Sequence, residues 1–149
     1  AEIENQRRRF EKEIKDAFEF GSFNFAKESL AILDNLQRAK LAIQNDEVLK
    51  NNKDLDKFLE NLTIIEKDLV SIFEKNRIKK IDTKNHKFDP NLHQAMSEVE
   101  DETAETGAIL QEIQPGYMLG ERLLRPALVA VAKKKTTKNE EKNKKKEEN

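Results

Sequence analysis

The chain has 149 residues, of which 38% are charged and 36% are hydrophobic. An ordinary globular chain has about 25% charged and about 45–50% apolar residues, so this one has little material for a core. It contains no cysteine, which excludes disulfides, thiolate nucleophiles and cysteine-ligated metal sites. This composition predicts a folded chain with much solvated surface that completes its core by oligomerisation.

The net charge of −1 conceals three regions of different charge. Residues 1–87 carry 18 basic and 17 acidic groups, residues 88–132 carry 2 and 8, and residues 133–149 carry 8 and 4. No apolar stretch approaches the ~18 residues of a membrane span, and no secretory signal opens the chain. Because the chain starts at Ala1 within a charged helical pattern, we expect an upstream segment. These features predict the bacterial cytoplasm, with the mitochondrial matrix as the alternative.

The first 89 residues contain no proline and one glycine, so nothing in them forces a helix to break. Ile3, Phe10 and Ile14 begin an apolar stripe that continues at steps of three, four and seven residues. A helix of about 44 residues would be ~66 Å long and could not cover its own stripe within one chain. We therefore expect residues 1–24 to form a dimeric coiled-coil stalk, with these three residues at its interface.

A second helix is predicted after a polar connector at residues 45–53. Its apolar side chains follow the a and d positions of a heptad pattern, at Leu55, Phe58, Leu62, Ile65, Leu69 and Ile72. Two helices from each of two chains would form a four-helix bundle. Residues 25–77 are therefore predicted to form half of a dimeric bundle, with an interface that includes Leu55, Leu62, Ile65 and Leu69.

The ends of the second helix carry two predicted caps. Asn51 or Asn52 is expected to accept a free backbone N–H at the start of this helix. Asn76 is expected to stop it in a left-handed conformation, because asparagine tolerates that conformation better than most residues.

Prolines and glycines become frequent after residue 88, which predicts short strands. The candidate strands are residues 95–99, 108–114, 117–119 and 128–132, with residues 78–81 as an entry strand. Val129 and Val131 alternate with smaller alanines, which is typical of a strand with one buried face. The prediction is an α+β fold, with a small all-β domain over residues 78–133. Residues 134–149 contain no apolar residue and are predicted to be disordered.

Few residues suggest chemistry. His86 and His93 are the only histidines, and we expect loop residues rather than metal ligands or catalytic bases. The acidic cluster at residues 98–105 lacks the pattern of an EF-hand calcium loop. The sequence contains neither a phosphate-binding glycine loop nor a nucleophile elbow. We therefore predict no enzyme activity, no metal and no cofactor. A dimeric interaction protein and a weak nucleic-acid binder both stay open at this point.

Several strings in the sequence resemble one known family. They are FDPNLHQA at 88–95, IQPGY at 113–117 and RLLRPALVAVAK at 122–133, preceded by AEIEN with three arginines at 1–9. Together they are similar to the GrpE family, the nucleotide exchange factors of DnaK-type chaperones, over residues 1–133. The resemblance implies a homodimer in which the small β-domain binds the chaperone's nucleotide-binding domain. That contact would open the cleft so that ADP leaves.

The resemblance also implies which residues make the contact. The implied β-domain contacts are Ile113, Arg122 and Val131, and the implied stalk contact is Arg7. A second basic stalk position of the family falls on Asp16 here, and only Lys15 is nearby. For Val131, a role in the strand core stays open. The alternative functions are a coiled-coil scaffold or holdase that binds unfolded clients directly, and a weak RNA binder that uses the basic tail.

Overall fold

The computed structural model describes residues 1–134. Within them the fold is α+β, as predicted, and its elements are α1 (Glu2–Asn45), α2 (Leu55–Lys75), β1 (Ile78–Lys80), β2 (His93–Glu100), β3 (Ile109–Gln114), β4 (Tyr117–Leu119), β5 (Arg122–Arg125) and β6 (Ala127–Lys133). Among these elements, strand β5 is the one that the sequence pattern did not predict. The predicted disordered tail lies outside the described residues, apart from Lys134.

The chain divides into two compact units. The helical unit comprises residues 1–79 together with residues 118–124, and the β unit comprises residues 80–117 together with the described residues from Arg125 onward. The segment 118–124 therefore groups with the helices, although it lies inside the region predicted as one β-domain. This segment carries Arg122, one of the contact residues that the resemblance implies.

The helical unit is built on α1, which has 44 residues and is therefore ~66 Å long. The connector at residues 46–54 reverses the chain, and α2 packs against the second half of α1. Glu66 of α2 accepts a hydrogen bond from Gln37 at 3.2 Å and pairs with Lys40 at 3.1 Å. The buried apolar side chains of the two helices are Ala26, Leu30, Leu33, Leu59 and Phe73. Both predicted helices are confirmed.

The two predicted caps of α2 are confirmed only in part: Asn52 accepts a backbone N–H but before the helix starts, and Asn76 ends the helix but is not left-handed. The residue at its N-terminal cap is Asp54, which makes no side-chain cap, while Asn52 Oδ1 accepts the backbone N–H of Asp54 at 2.9 Å. Asn52 thus organises the connector, because its side chain is used before the helix starts. At the other end Asn76 has φ −98°, since its side-chain amide donates to Ile72 O at 2.8 Å and ties it to the last helical turn. The left-handed residue is the next one, Arg77, with φ 63°.

The strands form two three-stranded sheets, with the orders β1-β4-β5 and β2-β6-β3. Strand β6 is the centre of the second sheet, parallel to β2 and antiparallel to β3. Its Ala127, Val129 and Val131 form a core against Phe88 and Ile109. The expected single buried face was wrong, because the intervening alanines at 130 and 132 are also buried. Side chains on both faces of β6 are therefore buried, which fits its nearly continuous apolar run.

The acidic loop between β2 and β3 is held by its own hydrogen bonds. The Thr103 hydroxyl, followed by the backbone N–H groups of Thr103 and Ala104, lowers the pKa of Asp101. Lys87 lies 2.9 Å from Glu105, and their hydrogen bond raises the pKa of Lys87 and lowers the pKa of Glu105. The pKa values of Asp101 and Glu105 are both lowered on folding. Their contribution to the stability of the fold is therefore fully present at a pH above the usual carboxyl pKa, and it is lost as the pH falls through the lowered pKa values.

Candidate functional site

A β hairpin of the helical unit places Arg122 against α1. Gly120 and Glu121 join β4 to β5, and Gly120 has φ 57°, a left-handed conformation that glycine adopts without steric cost. Arg122 is the first residue of β5, and its guanidinium carbon lies 3.5 Å from the centroid of the Phe20 ring. A cation this close to an aromatic face is attracted by the negative charge of that face. The sequence-predicted contact residue therefore has a defined position.

Phe20 is a functional candidate that sequence reasoning missed. Its side chain is 62% exposed on α1, in spite of the guanidinium above it. The sequence held one usable signal, because Phe20 is a large aromatic residue outside the stripe through Ile14 and Gly21. An aromatic residue away from the apolar face of an amphipathic helix is free for recognition, so Phe20 and Arg122 together form a surface that we call the Arg122–Phe20 platform.

The predicted stalk contact, Arg7, is an exposed residue of α1. Its side chain is 78% exposed and pairs with Glu11 one turn away at 3.0 Å. An exposed pair of this spacing contributes only about 0.3–0.5 kcal/mol, so it holds Arg7 weakly. Lys15 is exposed and Asp16 is half-buried. Arg7 thus remains available to a partner, and Lys15 is the exposed cation beside the second implied position, which Asp16 occupies.

The β unit carries the other two predicted contacts, and they differ in exposure. Ile113 lies on β3, an edge strand, and is 51% exposed. Val131 lies on the central strand β6 and is only 8% exposed, among the core residues. Ile113 therefore offers apolar surface to a partner, whereas the position of Val131 favours the strand-core role that the sequence left open.

The residues predicted at the dimer interface have much exposed apolar surface in one chain. Ile3, Phe10 and Ile14 are 83%, 59% and 70% exposed along the first half of α1. On α2, Ile65 is 55% exposed, and the three leucines of the predicted interface are half-buried: Leu55, Leu62 and Leu69. Large apolar side chains rarely remain this exposed in series on a monomeric protein.

The string from Asp89 to His93 has a structural role in the β unit. His93 is buried as the first residue of β2, so its expected place in a loop was wrong. Its Nδ1 accepts the backbone N–H of Asp89 at 2.9 Å, and the carbonyl of Asp89 accepts the backbone N–H of His93 at 2.8 Å. The turn also uses the Asp89 carboxylate, which accepts the N–H of Asn91 at 2.9 Å. This string therefore closes a turn that starts the sheet.

The part of the chain that the structure describes holds neither a metal-binding group nor a membrane-spanning helix. Within residues 1–134, no group of three or more histidine, aspartate or glutamate side chains is arranged to hold a metal ion. Neither α1 nor α2 combines the length and the apolar character that crossing a membrane requires.

Comparison with known proteins decides the family. The family model named GrpE matches residues 1–133, which is nearly all of the described chain. The chain belongs to the GrpE family. The resemblance inferred from the sequence strings is thereby confirmed.

Curated relatives agree with this assignment. The chain is 45% identical over 133 residues to "Protein GrpE" of Afipia carboxidovorans, covering 89% of this chain and 66% of that protein. It is 47% identical to "Protein GrpE" of Nitrobacter winogradskyi, with 89% and 68% covered. For "Protein GrpE" of Methylocella silvestris the identity is 43%, with 89% and 71% covered. The chain thus spans about two thirds of the length of these GrpE relatives.

Proposed function

We propose that this protein is a nucleotide exchange factor for a DnaK-type chaperone in the bacterial cytoplasm, where it serves protein folding and the stress response. The observation that carries the proposal is the match of residues 1–133 to the GrpE family.

The mechanism is a shift in the population of chaperone conformations. A ligand can move such an equilibrium only by its difference in affinity for the two states. The protein binds the open nucleotide-binding cleft more tightly than the closed one, so ADP leaves and ATP can rebind. By reciprocity, ADP bound to the chaperone weakens binding of the exchange factor by the same factor.

We assign the chaperone contacts to two groups of residues. On the helical unit, the Arg122–Phe20 platform presents a charged donor and an apolar ring, and Arg7 adds a further cation. On the β unit, Ile113 presents apolar area at 51% exposure. Arginine suits such a contact because its planar guanidinium can stack on a ring and still donate to a carboxylate or carbonyl. Val131 supports the strand beneath this surface.

Release of a fluorescent ADP analogue from the cognate chaperone tests the proposal. Adding the protein to the preloaded chaperone should accelerate release at substoichiometric concentration, because each molecule acts repeatedly. Excess ATP should then dissociate the complex. A direct holdase would leave the release rate unchanged and would suppress aggregation of an unfolded client without any chaperone present.

We also propose that the functional form is a homodimer with a coiled-coil stalk and a four-helix bundle. The support is the exposed apolar series that begins at Ile3 and Phe10, which has no cover within one chain. Light scattering at micromolar concentration should give about twice 17.3 kDa.

A substitution at the predicted interface provides a control for the dimer. Ile14→Asp places a charge on the apolar stripe, where the side chain is 70% exposed in one chain, and should shift the protein toward monomer. Lys12→Asp changes the charge of an exposed residue between Phe10 and Ile14 and should leave the mass unchanged. A monomer in the unaltered protein would contradict the assembly.

A further inference from the structure

Arg77 has an unusual backbone conformation for its residue type. It follows the end of α2 with φ 63°, in the left-handed region that glycine adopts easily and other residues rarely adopt. A glycine would be the ordinary choice here, as at Gly120, where φ is 57°. A residue other than glycine keeps such a conformation only where the surrounding structure holds it.

The side chain of Arg77 makes two contacts that explain its presence. Its guanidinium forms an ion pair with Glu19 of α1, whose side chain is 18% exposed. The same guanidinium packs against the hairpin, because an added Cβ at Gly120 would lie 2.8 Å from Arg77 Nη2. The backbone contributes a third link, since the N–H of Gly120 donates to the carbonyl of Arg77 at 2.9 Å.

The residues that Arg77 contacts lie next to the Arg122–Phe20 platform, both on α1 and on the hairpin. Glu19 and Phe20 are consecutive on α1, and Gly120 and Arg122 lie two residues apart on the hairpin. We propose that Arg77 is a positioning residue that fixes the hairpin on α1, so that the Arg122 guanidinium lies over the Phe20 ring. Its consequence for chaperone binding rests on the proposed function.

The physical benefit is a smaller ordering cost on binding. A free arginine side chain has many rotamers, and immobilising one at an interface weakens affinity by about 2- to 12-fold. If the hairpin is fixed by Arg77, Arg122 is already ordered in the unbound protein. Gly120 fits this role because it leaves room for the guanidinium beside the turn.

The first test needs no chaperone. Arg77→Gly removes the side chain while its backbone conformation suits glycine, so the dimer should stay folded with little change in thermal stability. In the unaltered protein, the ring current of Phe20 should displace the side-chain proton resonances of Arg122, because the guanidinium carbon is 3.5 Å from the ring centroid. In Arg77→Gly those resonances should move toward the positions of unperturbed arginine, and Arg77→Lys should restore part of the displacement.

Arg9→Ala serves as the matched control for this measurement. It removes an exposed ion pair, to Glu13 at 2.9 Å, that has no contact with the hairpin. The Arg122 resonances should stay displaced in this variant. If they also stay displaced in Arg77→Gly, the positioning role of Arg77 is overturned, whatever the exchange assay gives.

The second test measures affinity for the nucleotide-free chaperone. Arg77→Gly should weaken binding about 2- to 12-fold. In an Arg122→Ala background the same change should alter affinity less than about 2-fold, because Arg77 acts through Arg122. Independent, additive losses would overturn the proposal, as would unchanged binding by Arg77→Gly alone. If the unaltered protein fails to bind any chaperone while the Arg122 resonances respond as expected, the proposed function fails and the positioning role stands.

Discussion

Replacing Arg122 by alanine should weaken chaperone binding at least about 30-fold and slow ADP release to a similar extent at limiting concentration. Truncating one partner of a buried, charge-assisted contact at an interface costs about 2–5 kcal/mol, partly because the other partner remains unpaired. The stability of the unbound protein should fall only slightly, since a cation–π contact with a largely exposed ring contributes about 0.5–1 kcal/mol. Fluorescent ADP release and binding by calorimetry, with circular dichroism as a folding check, give both quantities.

An exposed lysine of the β unit supplies the control for Arg122. Lys84 follows β1 and is exposed, so Lys84→Ala should change affinity by at most about 1 kcal/mol. Phe20→Leu keeps an apolar side chain but removes the aromatic face. Its loss of affinity should lie between those of Arg122→Ala and Lys84→Ala. Equal stimulation of ADP release by Arg122→Ala and the unaltered protein would remove Arg122 from the interface and leave Ile113 as the main candidate.

Replacing Gly116 by alanine should destabilise the β unit by about 1–3 kcal/mol or more, because the position has no room for a methyl group. A Cβ at Gly116 would lie 2.8 Å from Ala127 Cα and from the carbonyl carbon of Pro126, and closer still to Ala127 N. These neighbours are backbone atoms at the start of β6, so they cannot move aside as a flexible side chain could.

Tyr117 makes this loss measurable. It is the only tyrosine in a chain without tryptophan, it lies beside Gly116, and it is 5% exposed. Near-ultraviolet circular dichroism should therefore report melting of the β unit, while the far-ultraviolet helical signal reports α1 and α2. Gly21→Ala is the matched control, because its Cβ meets nothing within 4 Å in its own chain and lies in the helical unit. It should stabilise α1 by about 0.5–1 kcal/mol. An unchanged tyrosine transition in Gly116→Ala would refute the close packing.

Most of the fold could be predicted from local patterns. The apolar steps of three, four and seven residues from Ile3 onward predicted α1, and the heptad pattern from Leu55 predicted α2. Both predictions succeeded because helical periodicity depends only on residues that are close in sequence. Strand β5 was missed because its four residues carry arginines at both ends. The two-faced burial of β6 was missed because it depends on β2 and β3, which pair with it from distant parts of the chain.

The site was less accessible to sequence reasoning than the fold. Arg122 and Ile113 were identified only through resemblance to a family, since nothing in their immediate neighbours marks them. Phe20 and Arg77 were missed because their roles arise when a hairpin about one hundred residues from Phe20 folds onto α1. The left-handed turn was assigned to Asn76 on residue type alone, whereas an ion pair with Glu19 accompanies it at Arg77. Such tertiary contacts override local preference.

The central position of β6 sets the order in which this protein is able to fold during synthesis. The helical hairpin of α1 and α2 is complete once residue 75 has emerged, and the hydrogen bonds within each helix are local, which favours rapid folding. In the sheet β2-β6-β3, both β2 and β3 pair with β6 and not with each other. Until residues 127–133 are made, neither strand has its pairing partner. Unpaired strand edges are the usual starting point of misassembly in a nascent chain. In a ribosome-bound intermediate, apolar residues of the unpaired strands β2 and β3, such as Val99 and Ile113, are therefore exposed to contact with other chains.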